Sequence, residues 1–194
     1  GQGTLGLESL EQAPDAQAIL CPVGGGGLIG GIGVASSAWR PELSLIGVEP
    51  RGAASMAHAW SQGGPARLDG VASCAKSLAA AIVGEHTYPL SRRHVTELVA
   101  VDEDAIHRAM RHLLYQTKLV VEPGAAVGVA ALLEGGATLP SHGSAPPAAA
   151  SPARPPLSRR RTRSTLTSSR RTATSPTPIT TTMTTTRTQS PRCR

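Results

Sequence analysis

Four consecutive glycines, Gly24–Gly27, separate an apolar run of strand length from a helical segment. The run before them, 18–23, is continuously apolar, which is typical of a strand covered on both faces of a sheet. The segment after them, 28–39, has helical character and ends before Pro41. A second apolar run, 43–48, then follows. Strand, glycine turn, helix and strand in this order predict a βαβ unit, and therefore a parallel sheet in an α/β fold.

Helices and strands continue to alternate outside this unit. We expect a helix over 3–12 and a strand over 95–101. A further short strand is expected over 119–121, where three apolar residues follow one another. The Ala-rich segment 124–133 predicts a buried helix, which Gly135-Gly136 can cap. This alternation indicates one α/β domain.

The helix after the strand 95–101 has the clearest local signals. Asp102 is a favourable N-cap residue, and Glu103 and Asp104 lie in the first turn, where the helix dipole favours acids. Apolar residues then recur at helical spacing and predict one buried face. They are Ile106, Met110, Leu113 and Leu114.

The composition changes abruptly near residue 140. Residues 1–140 contain all 13 acidic residues and 9 of the 19 basic ones, which gives a formal net charge of −4. Residues 141–194 contain ten arginines and no acid, a net charge of +10. The basic charge therefore belongs to the tail, and the sequence excludes a basic nucleic-acid-binding globular domain. We expect 1–140 to fold and 141–194, rich in Ser, Thr, Pro and Arg, to be a disordered basic tail.

Two further interpretations of the tail 141–194 stay open. Its arginines could form a basic arm that binds nucleic acid or an acidic membrane surface. Alternatively, a reading-frame slip near residue 140 has replaced the natural C-terminus. Disorder without a binding partner is the simplest of the three interpretations, because the segment has no aromatic residue and no apolar periodicity.

Other patterns bear on the compartment of the protein. No run approaches the roughly 20 apolar residues of a membrane span, so no membrane partner is expected. The N-terminal residues lack the basic start and apolar stretch of a signal peptide. The three cysteines, Cys21, Cys74 and Cys193, are odd in number and far apart. This spacing favours a reducing, cytoplasmic setting over a disulfide framework or a zinc site.

The four glycines are also the chemical centre of the sequence. Residues without side chains leave main-chain N–H groups bare and allow positive φ, so they can curve around an anion. The helix that begins near Leu28 adds its free N–H groups and its dipole. Gly25-Gly26-Gly27-Leu28-Ile29-Gly30 also matches GxGxxG, and Glu49 ends the next strand, as in a dinucleotide-binding site. A run of glycines meets that pattern by default, so the sequence predicts a phosphate site without deciding between ligands.

Five short motifs occur in a fixed order over about residues 1–135. They are Gly1-Gln2-Gly3-Thr4, Pro22-Val23-Gly24-Gly25-Gly26-Gly27-Leu28, Gly47-Val48-Glu49-Pro50, Asp69-Gly70-Val71-Ala72 and Val121-Glu122-Pro123-Gly124-Ala125-Ala126. This series resembles the threonine/serine dehydratases (threonine ammonia-lyases), which are relatives of serine racemase. The resemblance implies the three-layer, parallel-sheet large domain of the tryptophan-synthase-β-like enzymes that use pyridoxal 5′-phosphate (PLP). Residues 1–140 would then be part of the PLP-binding catalytic domain.

The resemblance also implies which residues bind the cofactor. The phosphate of PLP would be held by the main chain of Gly24, Gly25, Gly26, Gly27 and Leu28, which favours PLP over NAD. Glu122 lies near the cofactor in such enzymes, although a structural role for its carboxylate is an equal alternative.

Racemase-like members of the family also bind Mg²⁺ or another divalent cation. Their ligands are a glutamate, a main-chain carbonyl four residues later and an aspartate two residues beyond. The matching positions here are Glu49, Ala53 and Ser55, so serine stands where the family has aspartate. For Glu49, a solvated carboxylate or a helix N-cap partner is the alternative.

The reaction that the resemblance implies is β-elimination of a hydroxy amino acid, threonine or serine, to a 2-oxo acid and ammonia by a homo-oligomer. The family's catalytic lysine lies in a Ser-x-x-Asn-x-Lys-Gly motif before the glycine loop, and a Ser-Gly-Gly-Asn-like turn contacts the pyridine nitrogen. Neither motif occurs here, and we expect Lys76 and Lys118 at the surface. The sequence therefore predicts a fragment without turnover of its own. A serine racemase-like enzyme, a non-catalytic PLP- or partner-binding protein and an NAD-binding dehydrogenase remain alternatives.

Overall fold

Residues 1–140 are the part of the chain that the structure, a computed structural model, describes, and the interpretations of the tail lie outside it. This part alternates between helices and strands. In chain order its elements are α1 (Gly3–Gln12), β1 (Ala18–Pro22), α2 (Gly27–Trp39), β2 (Ser44–Pro50), α3 (Ser55–Gln62), α4 (Thr87–His94), β3 (Glu97–Val101), α5 (Glu103–Thr117) and α6 (Pro123–Leu133). Of the helices over 1–140, none is both long and apolar enough to cross a bilayer.

The three strands form one parallel sheet in the order β1-β2-β3. Cys21 of β1 lies opposite Gly47 of β2, and Gly47 lies opposite Leu98 of β3. The α/β class and the βαβ unit that the glycine run predicts are therefore confirmed. Because the strands are parallel, their carboxyl ends meet at one edge of the sheet, where loops can form a binding site.

The place of Pro22 in β1 follows from the hydrogen-bond pattern of the ladder. The N–H of Val23 donates to Val48 O at 2.9 Å, and Gln17 O accepts from the N–H of Ser44 at 3.0 Å. Main-chain polar groups alternate between the two sides of a strand, so those of Pro22 face away from β2. Its missing N–H therefore removes no hydrogen bond from this sheet.

Helices cover both faces of the sheet, and each face has its own apolar core. One core packs α5 and α6 against β2 and includes Ile46, Ile106 and Val127. The other packs α2 and α3 against the opposite face and includes Ile29 and Met56. Coverage on both sides explains why the strand sequences are continuously apolar rather than alternating.

The local predictions for α5 are confirmed in part. Ile106 is buried and Leu113 is half-buried, but Leu114 is 42% exposed and lies at the margin of the apolar face. Asp102 occupies the N-cap position, yet its carboxylate makes no capping bond to the helix. It accepts instead from Nε of Arg51 at 2.5 Å. The competing ion pair is the reason why the N-cap prediction is wrong for the side chain.

The strand predicted over 119–121 is wrong. Leu119 is 57% exposed and Val120 is 88% exposed, and no strand of the described sheet pairs with this segment. It connects α5 to α6 after Lys118, which has a φ of 62°. A three-residue apolar run needs a neighbouring strand edge to become a strand, and the sequence does not say whether one is in reach.

The glycine cap predicted for α6 is confirmed. Gly135 has a φ of 64°, and its N–H donates to Leu132 O at 3.2 Å. The N–H of Gly136 donates to Ala131 O at 3.0 Å. These two bonds form a Schellman motif, which satisfies the last carbonyl groups of the helix.

We expect Gly52→Ala to destabilise the chain strongly. Gly52 lies in a 3₁₀ turn directly after β2, and its carbonyl oxygen accepts from the N–H of Ala72 at 2.9 Å. A methyl group at Gly52 would lie 1.9 Å from Ala72 O. Relief of this overlap must move main chain, at a cost of about 1–3 kcal/mol. Urea unfolding followed by circular dichroism measures this cost.

The matched control for this experiment is Gly64→Ala. A Cβ at Gly64 would meet no atom within 4 Å. The two glycines lie in the connections on either side of α3 and differ in the space around the new methyl group. Equal stability of the two variants would contradict the structure of this region.

Candidate functional site

The glycine loop lies between β1 and α2, at the edge where the carboxyl ends of the strands meet. Gly26 is the N-cap residue of α2 and has a φ of 87°, in the left-handed region. A Cβ at Gly26 would lie 2.6 Å from Cε of Met56 and 2.8 Å from Oγ1 of Thr87. Backbone conformation and packing therefore both require glycine at this position. A Cβ at Gly25 or Gly27 would meet nothing within 4 Å, so this side of the loop is open.

The main-chain N–H groups of the loop have no partner in residues 1–140. Gly30 is the first residue whose N–H bonds back into the start of α2, donating to Gly26 O at 3.0 Å. Over the described residues, the N–H groups from Gly24 to Leu28 donate to no carbonyl or side chain. Such groups must find water or a ligand, and at a helix N-terminus they attract an anion.

A cavity of about 380 Å³ lies beside the glycine loop. The glycine loop forms one wall, and the opposite wall comes from the 3₁₀ turn Lys76–Leu78 and the N-terminus of α6. The residues that line it are Pro22, Gly24, Gly25, Gly26, Gly27, Leu28, Ser77, Leu78, Glu122, Gly124 and Ala125. The N-termini of α2 and α6 both border this space. The two helix dipoles therefore favour negative charge in it.

One hydrogen bond joins the two segments of the opposite wall. Oγ of Ser77 donates to Oε1 of Glu122 at 2.7 Å. A Cβ at Gly124 would lie 2.3 Å from Oγ of Ser77, so the close approach of these segments depends on glycine. The structure thus places Glu122 in the cavity wall that lies opposite the glycine loop.

Glu49 is the last residue but one of β2 and is buried, with 1% of its surface exposed. Its Oε1 accepts from the N–H of Met56 at 2.7 Å, and its Oε2 accepts from the N–H of Ala57 at 2.9 Å. The side chain therefore caps the N-terminus of α3 from another element. Burial raises the pKa of Glu49 to about 7, although the two N–H donors act in the opposite direction. Of the two structural alternatives for this residue, the structure supports the helix-cap partner and not the solvated carboxylate.

The residues that match the family's cation ligands do not fit a divalent cation. Both oxygens of Glu49 accept N–H groups, and Oγ of Ser55 donates to Gly24 O at 3.5 Å. Ala53 is fully buried. Within residues 1–140, no cluster of three or more His, Cys, Asp and Glu side chains could hold a metal ion. Glu49 is also buried beneath the start of α3 rather than at an open edge, so its position does not suit an acid that binds the ribose of a dinucleotide.

Lys76 and Lys118 are both exposed, as the sequence predicts. Nζ of Lys118 donates to Tyr115 O at 2.7 Å on the surface of α5. Neither residue is among the described residues that line the cavity. The site in this part of the chain therefore provides main-chain donors and one acid, without an amine.

Ser77 lines the cavity and Thr87 contacts the glycine loop from outside it, although the sequence singles out neither residue. Oγ1 of Thr87 donates to Gly25 O at 2.7 Å. Both residues lie at least 50 positions beyond the loop in a region without clear periodicity. No local signal identifies them, because their roles depend on tertiary contacts alone.

Comparison with known proteins shows which family has this sequence and fold. Residues 1–144 match the family described as pyridoxal-phosphate dependent enzymes. The phenylserine dehydratase of Ralstonia pickettii is 43% identical over 135 residues, which are 70% of this chain and 41% of that protein. The crystal structure of T.th. threonine deaminase has a TM-score of 0.69 at 41% identity, with 72% of this chain and 53% of that chain covered. Maize serine racemase has a TM-score of 0.66 at 38% identity, with 68% and 41% covered.

The chain therefore spans about two fifths to one half of the length of these relatives. The matched region begins at residue 1 and includes the glycine loop, the α3 cap at Glu49 and the wall that contains Glu122. Of the tail, only residues 141–144 fall within the family match.

We expect the contribution of Glu49 to the stability of the folded part to fall as the pH rises from about 5 to 8, whereas His94, whose pKa is lowered by burial, acts in the opposite direction. The folded pKa of Glu49, about 7, lies above its ordinary value of 4.5. The folded state therefore binds more protons than the unfolded state, and this contribution is full below about pH 4.5 and lost as the pH passes about 7. Urea unfolding at several pH values measures the slope.

Glu49→Gln removes the titration and keeps one carbonyl acceptor for α3, so we expect a flatter pH dependence. Glu85→Gln, at an exposed position, is the control and should keep the slope of the unsubstituted chain. An unchanged slope in Glu49→Gln would contradict the assignment of this proton to Glu49.

Proposed function

The chain belongs to the family of pyridoxal-phosphate-dependent enzymes, and we propose that the main chain from Gly24 to Leu28 binds the 5′-phosphate of PLP. One observation carries this proposal: the loop residues line the cavity at the start of α2, and their N–H groups have no partner in the described residues. Membership of the family confirms the resemblance that the five motifs indicate. The phosphate would receive several N–H donors and the positive end of a helix dipole in one place.

The residues that line the cavity fit a phosphate group through their main chain. No cationic side chain lines the described part of the cavity, so recognition rests on main-chain donors and helix dipoles. The Ser77–Glu122 hydrogen bond closes the wall opposite the loop, and it keeps the hydroxyl proton of Ser77 directed at Glu122. When bound, PLP supplies an electron sink for the carbanion formed at the α-carbon of an amino acid. The described residues bind and orient the cofactor rather than transfer the protons.

For the whole protein we propose β-elimination of a hydroxy amino acid, threonine or serine, to a 2-oxo acid and ammonia. The names of relatives at 43% and 41% identity, a dehydratase and a deaminase, support this reaction. A racemase is the second candidate, favoured by the 38% identity to maize serine racemase. A PLP-binding protein without catalysis is the third, favoured by the absence of a lysine from the described cavity lining.

We expect the purified 194-residue chain to bind PLP and Gly26→Ala to weaken that binding by about tenfold or more. Alanine at a φ of 87° is strained, and its methyl group would overlap Met56 and Thr87. Strain of about 1–3 kcal/mol is enough for a loss of this size. Titration of PLP, followed by its absorbance and by equilibrium dialysis, measures the affinity.

Three comparisons make this titration specific. Pyridoxal, which lacks the phosphate, should bind much more weakly than PLP, and NAD should not compete with PLP. Gly64→Ala, away from the cavity, should bind like the unsubstituted chain. Equal affinity for PLP and pyridoxal would remove the phosphate assignment, and competition by NAD would restore the dinucleotide alternative.

We expect the same chain to produce no 2-oxobutyrate from threonine. Its two lysines are exposed and lie outside the described lining, so no amine is placed to exchange with that of the substrate. Borohydride reduction of the PLP-loaded chain should therefore leave the cofactor removable by dialysis. A colorimetric assay for 2-oxo acids and the mass of the reduced chain measure the two results. Turnover, or PLP fixed to Lys76 or Lys118, would show that this prediction is wrong.

A further inference from the structure

We infer that Thr87, assisted by Ser55, is a positioning residue that sets the direction of the loop N–H groups. Neither side chain is among the described residues that line the cavity. Each instead binds a carbonyl on the other side of the glycine loop. This inference rests on the proposed phosphate site and extends it to two residues outside that site.

The first step of the argument is the geometry of the peptide unit. In a trans peptide, the C=O of one residue and the N–H of the next point in opposite directions. The described chain contains no cis peptide bond. A contact that holds the carbonyl of Gly25 therefore also fixes the N–H of Gly26, and a contact to the carbonyl of Gly24 fixes the N–H of Gly25.

Thr87 makes the shorter of these two contacts. Its Oγ1 lies 2.7 Å from Gly25 O and 3.0 Å from Gly84 O. A hydroxyl has one proton to donate, and the shorter distance favours Gly25 as its acceptor. The N–H of Gly84 adds a second, longer bond of 3.3 Å to the same oxygen. The carbonyl of Gly25 is thus held from the start of α4, and the N–H of Gly26 points to the opposite side.

Ser55 holds the preceding peptide in the same way. It is the first residue of α3 and is fully buried, and its Oγ lies 3.5 Å from Gly24 O. This contact is at the upper limit of a hydrogen bond, so we assign the larger effect to Thr87. Together the two hydroxyls hold consecutive carbonyls of the loop from the N-termini of two different helices.

The two helices, α3 and α4, also contact each other. Nε1 of Trp60 in α3 donates to Oγ of Ser91 in α4 at 3.0 Å. The guanidinium of Arg92 lies 4.6 Å from the centre of the Trp60 ring, within reach of a cation–π contact. Met56 of α3 also packs directly beneath Gly26. The loop therefore packs against two helices that contact each other, although consecutive glycines have great backbone freedom.

The consequence is preorganisation of the anion site. Consecutive glycines have many accessible φ and ψ values, so a free loop would have to lose this freedom when the phosphate binds. Thr87 fixes one peptide plane before any ligand arrives. Its removal should weaken binding of the phosphate group while the fold and the volume of the cavity stay the same.

The test compares Thr87→Val with Thr87→Ser. Valine keeps the shape and lacks the hydroxyl, whereas serine keeps the hydroxyl. We expect Thr87→Val to bind PLP about tenfold more weakly, the effect of one hydrogen bond at about 1.4 kcal/mol. Thr87→Ser should bind within about twofold of the unsubstituted chain, and pyridoxal should bind equally to all three forms.

Thr117→Val is the matched control. Oγ1 of Thr117 donates to Leu113 O at 2.7 Å on the surface of α5, so the same substitution removes a bond of the same length away from the loop. Its PLP affinity should be unchanged. Unfolding midpoints of all variants identify any loss that comes from stability alone.

A second readout needs no cofactor. The order parameters of the N–H groups of Gly25 to Gly27, from nitrogen-15 relaxation, should be lower in Thr87→Val than in the unsubstituted chain, and Thr87→Ser should restore them. If the unsubstituted chain does not bind PLP but the order parameters still change, the phosphate proposal fails and the positioning role stands. If the unsubstituted chain binds PLP and Thr87→Val binds it equally, or if the order parameters of the two forms are the same, the positioning role is overturned.

Discussion

The contact of Gly26 with two helices is the constraint on which the rest of the site depends. Gly26 has a left-handed backbone, and its α-carbon packs so closely against Met56 and Thr87 that no side chain fits. This packing sets where α2 begins. The start of α2 in turn sets which N–H groups lie outside the helical hydrogen-bond pattern. The left-handed glycine at the start of α2 and the proposed anion site are therefore two results of the same close packing.

Glu49 connects this packing to the centre of the sheet. Glu49 lies near the end of β2. Its carboxylate caps α3, the helix that contains Met56 and Ser55. A carboxylate is an unusual group to bury, and its burial raises its pKa to about 7. The two N–H donors at the start of α3 compensate part of this cost. The position of α3 beneath the loop thus depends on one buried acid rather than on apolar packing alone.

Most of the fold could be predicted from local sequence, whereas the support of the site could not. Apolar runs and the glycine turn indicated β1, α2 and β2, because these signals act over a few residues. The segment 119–121 was misleading, since its strand needed a neighbour that the sequence does not reveal. For Glu49, the sequence left four roles open, and burial against α3 favours the helix cap. Thr87 carries no local signal, because its carbonyl partner lies 62 positions earlier.

Phosphate binding and proton transfer require different kinds of group in a PLP-dependent enzyme. Phosphate anchorage needs only main-chain donors and a helix dipole, and residues 1–140 supply both from a single βαβ unit and the helices around it. Proton transfer needs a titratable amine close to the reacting carbon, and the described cavity has none. The two tasks can therefore lie on separate stretches of chain without loss of the phosphate site. For the same reason cofactor affinity and turnover should respond to different substitutions: those near the proposed phosphate loop, Thr87 included, should change affinity for PLP first.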